Sequence, residues 1–168
     1  MIIFPFATSD IICSFTGPRP EKIDDDIDDV YFALKIAILD AVNQGYKYFI
    51  TGMSRGFDLL AAKCILDLQR DYDVFLIAAI PFFNQDERWS EDDKITYREI
   101  LCRCRYTFCT SEKFHRGAYY ERNRFMVDHC SKIITYYNNS LGGTKYTLDY
   151  ATKFSKKITN IHNCQTTF

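Results

Sequence analysis

The chain has 168 residues, 47% of them hydrophobic, and a formal net charge of −1. That length and apolar share suffice for one domain with a packed interior and exclude an intrinsically disordered chain. A near-neutral balance also argues against a general binder of phosphate backbones, which needs a clustered basic surface, so nucleic acid is not an expected partner.

In chain order, the first element is Asp10-Ile11-Ile12-Cys13-Ser14-Phe15-Thr16, an apolar and β-branched run stopped by Gly17-Pro18. It reads as a buried strand. After Arg19-Pro20 comes the acidic segment Asp24-Asp25-Asp26-Ile27-Asp28-Asp29, in which Asp25, Asp26 or Asp28 is placed to cap a helix. Residues 30–43 put Val30, Leu34, Ala37, Ile38 and Ala41 on one helical face, and Gly45 stands where a helix ends. A second strand, 47–51, runs into Gly52-Met53-Ser54-Arg55-Gly56-Phe57-Asp58, with a helix expected over 59–69. Residues 73–80 are apolar nearly throughout, as in a parallel strand covered on both faces. The loop Pro81-Phe82-Phe83-Asn84-Gln85-Asp86 follows, then a polar helix from Trp89 to about Cys102. Next come a strand over 105–110, the loop His115-Arg116-Gly117-Ala118 and a helix over 119–129. A fifth strand, 132–137, leads through Leu141-Gly142-Gly143-Thr144-Lys145-Tyr146 into a helix over 147–154. Residues 157–161 form an edge strand, and the tail 163–168 has no clear structure.

Strands and helices thus alternate along the whole length. The pattern calls for right-handed crossovers and a mainly parallel sheet with helices on both faces, a Rossmann-like three-layer α/β/α sandwich. It is expected to be a single domain over 1–168 with its core at about 10–162. In such sheets ligands bind beyond the carboxyl ends of the strands, and the unusual residues cluster there: Thr16 and Gly17, then residues 52–58, 81–85 and 142–144. A glycine turn lets the backbone approach a phosphate, and the first N–H groups of the helix behind it are unpaired. Three such turns facing one crevice point to a nucleotide-type ligand. Neither G-x-G-x-x-G nor G-x-x-x-x-G-K-[ST] occurs, so the dinucleotide fingerprint and the P-loop are both missing.

Several side chains have two readings. Arg19 either reaches an anion with its bidentate fork or is a surface arginine before a proline. Asp58 either accepts from ribose hydroxyls or caps its own helix. Trp89, Phe82 and Phe83 either stack on a base or pack as core or lid. Arg122 and Asn123 belong to a polar helical row that is ordinarily solvated, with Met126 and Val127 as core. Glu121 and Asp128, seven residues apart, are either a carboxylate pair for hydrolysis or one solvated face. Ser14 and Ser54 lack an obvious base, and His115, His129 and His162 are scattered.

The seven cysteines, Cys13, Cys64, Cys102, Cys104, Cys109, Cys130 and Cys164, include no Cys-x-x-Cys pair. They read as reduced structural thiols of a cytoplasmic protein. Cys102-x-Cys104-x-x-x-x-Cys109 has no nearby histidine to complete a metal site, so no metal or cofactor is expected. The opening residues 1–6 are short, uncharged and broken by Pro5, unlike a signal peptide, and no run approaches membrane-spanning length.

Taken together, Phe15-Thr16-Gly17-Pro18-Arg19-Pro20, residues 49–62 (Thr51-Gly52-Met53-Ser54-Arg55-Gly56-Phe57-Asp58 at their centre), Pro81-Phe82 with Gln85 and Trp89, Arg122-Asn123-Arg124-x-Met126-Val127-Asp128, and Gly142-Gly143-Thr144 with Tyr150-Ala151 form an ordered set. This set resembles the YpsA-like proteins of the SLOG (DprA/LOG-like) superfamily from about residue 12 to 161. The resemblance implies a Rossmann-like domain holding a nucleotide or nucleotide-derived small molecule, NAD- or ADP-ribose-like or a cyclic nucleotide signal, as a sensor or sequestering protein. Relatives hydrolyse nucleotide monophosphates, bind single-stranded DNA during uptake, or sense NAD-derived signals in bacterial defence, and many are homo-oligomers. It implies ligand contacts at Thr16, Gly17, Arg19, Gly52, Met53, Ser54, Gly56, Asp58, Pro81, Phe82, Gln85, Trp89, Arg122, Asn123, Gly142, Gly143 and Thr144. Two departures matter. Pro18 stands where the family usually has histidine. After Thr144 the hydrolytic branch's glutamate is missing, Lys145-Tyr146-Thr147-Leu148-Asp149 standing there instead. Binding is therefore expected, with N-glycosidic hydrolysis using Glu121, Asp128 or Asp149 as the alternative and DNA processing as the third.

Overall fold

The structure, a computed structural model, describes residues 8–162. The readings of the opening residues 1–6, of Cys164 and of the tail 163–168 lie outside the described residues. Strands β1 (Ile12–Thr16), β2 (Tyr48–Thr51), β3 (Phe75–Ile80), β4 (Tyr106–Cys109), β5 (Lys132–Thr135) and β6 (Lys157–Asn160) form one sheet in the order β4-β3-β2-β1-β5-β6. Every neighbouring pair is parallel, with Thr16 opposite Thr135 at the carboxyl ends of β1 and β5. The helices are α1 (Ile27–Asn43), α2 (Phe57–Leu68), α3 (Glu91–Arg103), α4 (Ala118–Asp128) and α5 (Gly143–Lys153), and a short 3₁₀ turn, Pro20–Lys22, precedes α1.

The period-two alternation of a strand sorts its side chains into two cores. Cys13, Phe15, Phe49, Leu76 and Ile134 pack with α1, α2 and α3. Ile12, Ile50, Ile77 and Ile133 pack with α4 and α5 through Met126, Val127, Leu148 and Ala151. Both faces are covered, which is why β3 reads as an almost unbroken apolar run.

Asp26 is the residue that caps α1, its carboxylate accepting from the Asp28 N–H at 2.9 Å. Gly45, at φ +97°, follows the end of that helix as expected. Four of the helices start earlier than the apolar pattern indicates, most clearly α5, which begins at Gly143 rather than 147, whereas α3 starts at Glu91, two residues after Trp89. Periodicity marks only where buried residues recur, and the first turn of α5 carries none before Thr147.

Strand order positions the site. From β1 the chain steps outward to β2, β3 and β4. Helix α4 then carries it back across the sheet to β5, on the other side of β1. The direction of winding reverses between β1 and β5, and a crevice opens at such a switch point.

Candidate functional site

A cleft of about 310 Å³ lies at this switch point. The end of β1 contributes Thr16, Gly17 and Arg19, and the turn after β2 contributes Ser54 and Asp58. Arg122 and Asn123 enter from α4, and Gly142, Gly143 and Thr144 from the start of α5. These ten expected residues are brought together by three turns and one crossing helix.

The floor carries two buried side chains of opposite charge, Arg122 and Asp58, that interact electrostatically. Arg122 is 4% and Asp58 6% exposed, so neither belongs to a solvated row. Arg122 donates from Nε to Asn123 Oδ1 at 2.8 Å, from Nη1 to the carbonyls of Gly52 and, at 3.4 Å, Ala79, and from Nη2 to Ser54 Oγ at 3.2 Å. It reaches the ends of β2 and β3 because α4 crosses beneath them. Asp58 accepts from the Ser54 N–H at 3.3 Å, so it organises the turn before its helix rather than capping that helix, whose first flanking residue is Gly56. No hydrogen bond to Asp58 Oδ1 comes from the described residues. Burial pushes the Asp58 carboxyl up from its ordinary value, opposed by Arg122, the Ser54 N–H and Arg19. Burial likewise pulls the Arg122 guanidinium down; Asp58 opposes this and Arg19 adds to it.

The walls are cationic. Lys22 and Arg116 join Arg19 and Arg122, against Asp58 alone as carboxylate. Arg19 has no hydrogen bond or ion pair from its side chain among the described residues; it lies over the Tyr119 ring at 5.7 Å. Gly142, at φ +140°, precedes helix α5 and gives it no side-chain cap, so its first N–H groups face no acceptor among the described residues. Helices α1 and α3, by contrast, are capped by Asp26 and Ser90. An open N-terminus beside four cations is a place for an anion.

Seven expected contacts lie off the cleft wall. Gly52 is glycine because the Arg122 guanidinium lies against it, where a Cβ would collide. Gly56, at φ +88°, would press a Cβ to 2.6 Å from the Pro18 carbonyl. Met53 is fully buried in the core, and Gln85 donates to its carbonyl at 3.3 Å. Pro81, Phe82 and Trp89 follow β3, which is separated from β1 by β2 and so opens away from the switch point. Trp89 packs edge-on against Tyr97 at 5.2 Å, and Phe82 against Phe114 and Tyr119. Phe83 is exposed. The three acids proposed for hydrolysis are also elsewhere. Glu121 accepts from Ser111 Oγ at 3.0 Å and pairs with His115, Asp128 accepts from Tyr150, and Asp149 pairs with Lys145.

Lys22, Arg116, Tyr119, Tyr120, Ser140 and Leu141 line the cleft without having been expected there. A signal existed for Arg116 and the two tyrosines. The loop after β4 is also a carboxyl-end loop, and its arginine precedes a glycine at a helix start.

Fold and site together define a doubly wound, Rossmann-like α/β protein with an anion-suited cleft at its switch point. A family model, YpsA, described as the YspA SLOG family, matches residues 21–167, and the chain belongs to this family. It is similar to the SPbeta prophage-derived protein YoqJ of Bacillus subtilis, 31% identical over 134 residues that cover 71% of this chain and 78% of that one. It is also similar to the UPF0398 protein YpsA of the same organism, 26% identical over 125 residues covering 72% and 69%. Among solved structures, DNA processing protein A (DprA) from Streptococcus pneumoniae matches with a TM-score of 0.59 and DprA from Helicobacter pylori with 0.61, each at 15% identity and over 89% of this chain. At that identity the likeness shows the fold. The chain spans 49% and 64% of those two DprA chains, respectively.

The exclusion of nucleic acid from the charge balance is overturned here. The H. pylori DprA structure is described for a single-stranded DNA binding mode, and it shares this fold. A formal charge of −1 averages over the whole surface and conceals the local excess of cations at the cleft. Among the described residues no helix is long and apolar enough to cross a membrane.

Proposed function

We propose that the cleft binds a nucleotide or nucleotide-derived small molecule and holds it, the protein acting as a sensor or sequestering protein. The observation that carries this reading is the convergence of two chemistries in one small cleft. Arg19, Arg122 and the uncapped start of α5 suit a phosphate. Asp58, buried and with one carboxylate oxygen unpaired among the described residues, suits a sugar hydroxyl. The volume, about 310 Å³, lies at the low end of ligand pockets, which run from about 300 to 1,000 Å³. The position of Glu121, Asp128 and Asp149 off the cleft favours holding over hydrolysis. The single sheet supports one binding domain, and the free buried cysteines suit a reducing cytoplasm.

The test is calorimetry with mononucleotides, NAD, ADP-ribose and cyclic ADP-ribose, followed by heat release and chromatography of the bound compound. Recovery of intact ligand is the expected result, and a free base accumulating with time would overturn the holding role. A second reading, single-stranded DNA on the same face, is favoured by the fold shared with H. pylori DprA. Fluorescence anisotropy of a labelled oligonucleotide at physiological salt tests it. Displacement by the tightest mononucleotide places both ligands in one cleft.

A further inference from the structure

We infer that the cleft selects a terminal phosphate monoester, in its doubly charged form, over a phosphodiester, and that Tyr119 is the positioning residue behind this preference. The inference rests on the cleft being a nucleotide site.

The guanidinium carbons of Arg19 and Arg122 lie 5.7 and 5.9 Å from the centroid of one ring, that of Tyr119. Aromatic faces attract cations, so the ring is a contact shared by two like charges. Arg19 also adds to the forces that pull Arg122 away from its charged form. Asp58 offsets part of that charge.

A donor count shows how much remains free. Arg122 has five N–H donors, and Asn123, Gly52, Ala79 and Ser54 accept four, leaving one on Nη2 uncommitted among the described residues. Arg19 commits none to the described residues. Lys22, at the rim, gives one hydrogen bond to the Leu141 carbonyl at 3.1 Å and keeps two donors. The uncommitted positive charge therefore exceeds what one negative charge matches. Coulomb attraction grows with ligand charge. A phosphate monoester carries about −1.5 to −2 at neutral pH and presents three acceptor oxygens, whereas a diester carries a single charge and one fewer unesterified oxygen. The monoester gains more from the same donors.

Tyr119 acts through its ring. Its hydroxyl has no hydrogen-bond partner among the described residues, and Phe82 packs edge-on against it at 5.7 Å. Phenylalanine preserves this arrangement, and leucine keeps bulk but removes the π face. The monoester can sit on a mononucleotide or at the 5′ end of a strand, and both present the same chemistry.

The experiment titrates the protein calorimetrically with AMP, GMP, CMP and UMP. The tightest is then compared with its 5′-methyl ester, and a short oligothymidylate is compared with and without a 5′-phosphate. Esterification, or loss of the 5′-phosphate, is expected to weaken binding by about tenfold or more. Tyr119→Leu is expected to weaken the monoester about fivefold while moving the methyl ester less than about twofold, and Tyr119→Phe to stay within about twofold of the wild type. An ester that binds as tightly as the monoester overturns this inference and leaves the nucleotide reading standing. Absence of binding by every nucleotide overturns both. Equal losses for monoester and ester in Tyr119→Leu would reduce Tyr119 to packing and overturn its assigned role. If Tyr119→Leu does not fold, the ester comparison and Tyr119→Phe still decide.

Discussion

Burying Arg122 and Asp58 together removes water from both, pushing the carboxyl up and the guanidinium down, and each opposes the other's shift. Deleting one partner of such a pair leaves an uncompensated buried charge, a loss of about 3–5 kcal/mol. Asp58→Ala and Arg122→Met are each expected to destabilise by about 3 kcal/mol in urea unfolding, with the double variant losing less than their sum. Additive losses would show that the two ions are not coupled. The thiols give a second expectation at this scale. Burial pushes Cys64 up to about 11 and Cys104 and Cys130 up to about 12, while Cys102 is exposed. Only the thiolate reacts, so iodoacetamide at pH 8 followed by peptide mapping should label Cys102 well before Cys64, Cys104 or Cys130. Early labelling of Cys130 would show that the connection between α4 and β5 opens. At the level of single residues the sequence was partly legible. Met126 and Val127 are core, as helical spacing implies. Arg122, in the same helix, reads as solvated because nothing local reveals that Gly52 has made room for it.

At the scale of elements, the start of α5 combines an uncapped N-terminus with a glycine pair whose members do different things. Gly142 needs its backbone freedom at φ +140°, whereas Gly143 is an ordinary first-turn residue facing open space. A Cβ at Gly143 would meet only Asn123 Nδ2, at 3.9 Å. Gly143→Val should therefore abolish ligand binding by calorimetry while lowering stability by less than about 1 kcal/mol in thermal unfolding. Unchanged affinity would remove α5 from the site. Gly56 is the opposite case, because a side chain there is strained by φ +88° and pressed against the Pro18 carbonyl at 2.6 Å. Gly56→Ala should cost about 1–3 kcal/mol in urea unfolding. A neutral result would mean that the 17–20 segment moves aside without loss. The two glycines look alike in the sequence, since a glycine at a strand–helix junction signals a turn without saying what lies opposite.

For the molecule as a whole, the sheet order predicts a gradient of local stability. All five residues of β1 are buried, whereas β6 at one edge is largely exposed. Native-state hydrogen exchange should protect β1 and β2 most strongly and β4 and β6 least. Equal protection in β1 and β6 would contradict the order. The sequence by itself determined the number, type and succession of the elements, and with them the α/β class. Hydrophobic period is a local property: residues 73–80 declare a strand covered on both sides, and Val30, Leu34, Ala37, Ile38 and Ala41 declare one helical face. It also pointed to the carboxyl-end turns. Only the tertiary structure decided which turns share a cleft, because strand order depends on where α4 crosses between β4 and β5. That crossing brings β5 beside β1 and leaves the turn after β3, with Phe82, Gln85 and Trp89, outside. It also buries Arg122 and gathers four cations in a chain with a net charge of −1. Those outcomes rest on contacts between residues far apart along the chain, and no local pattern carries them.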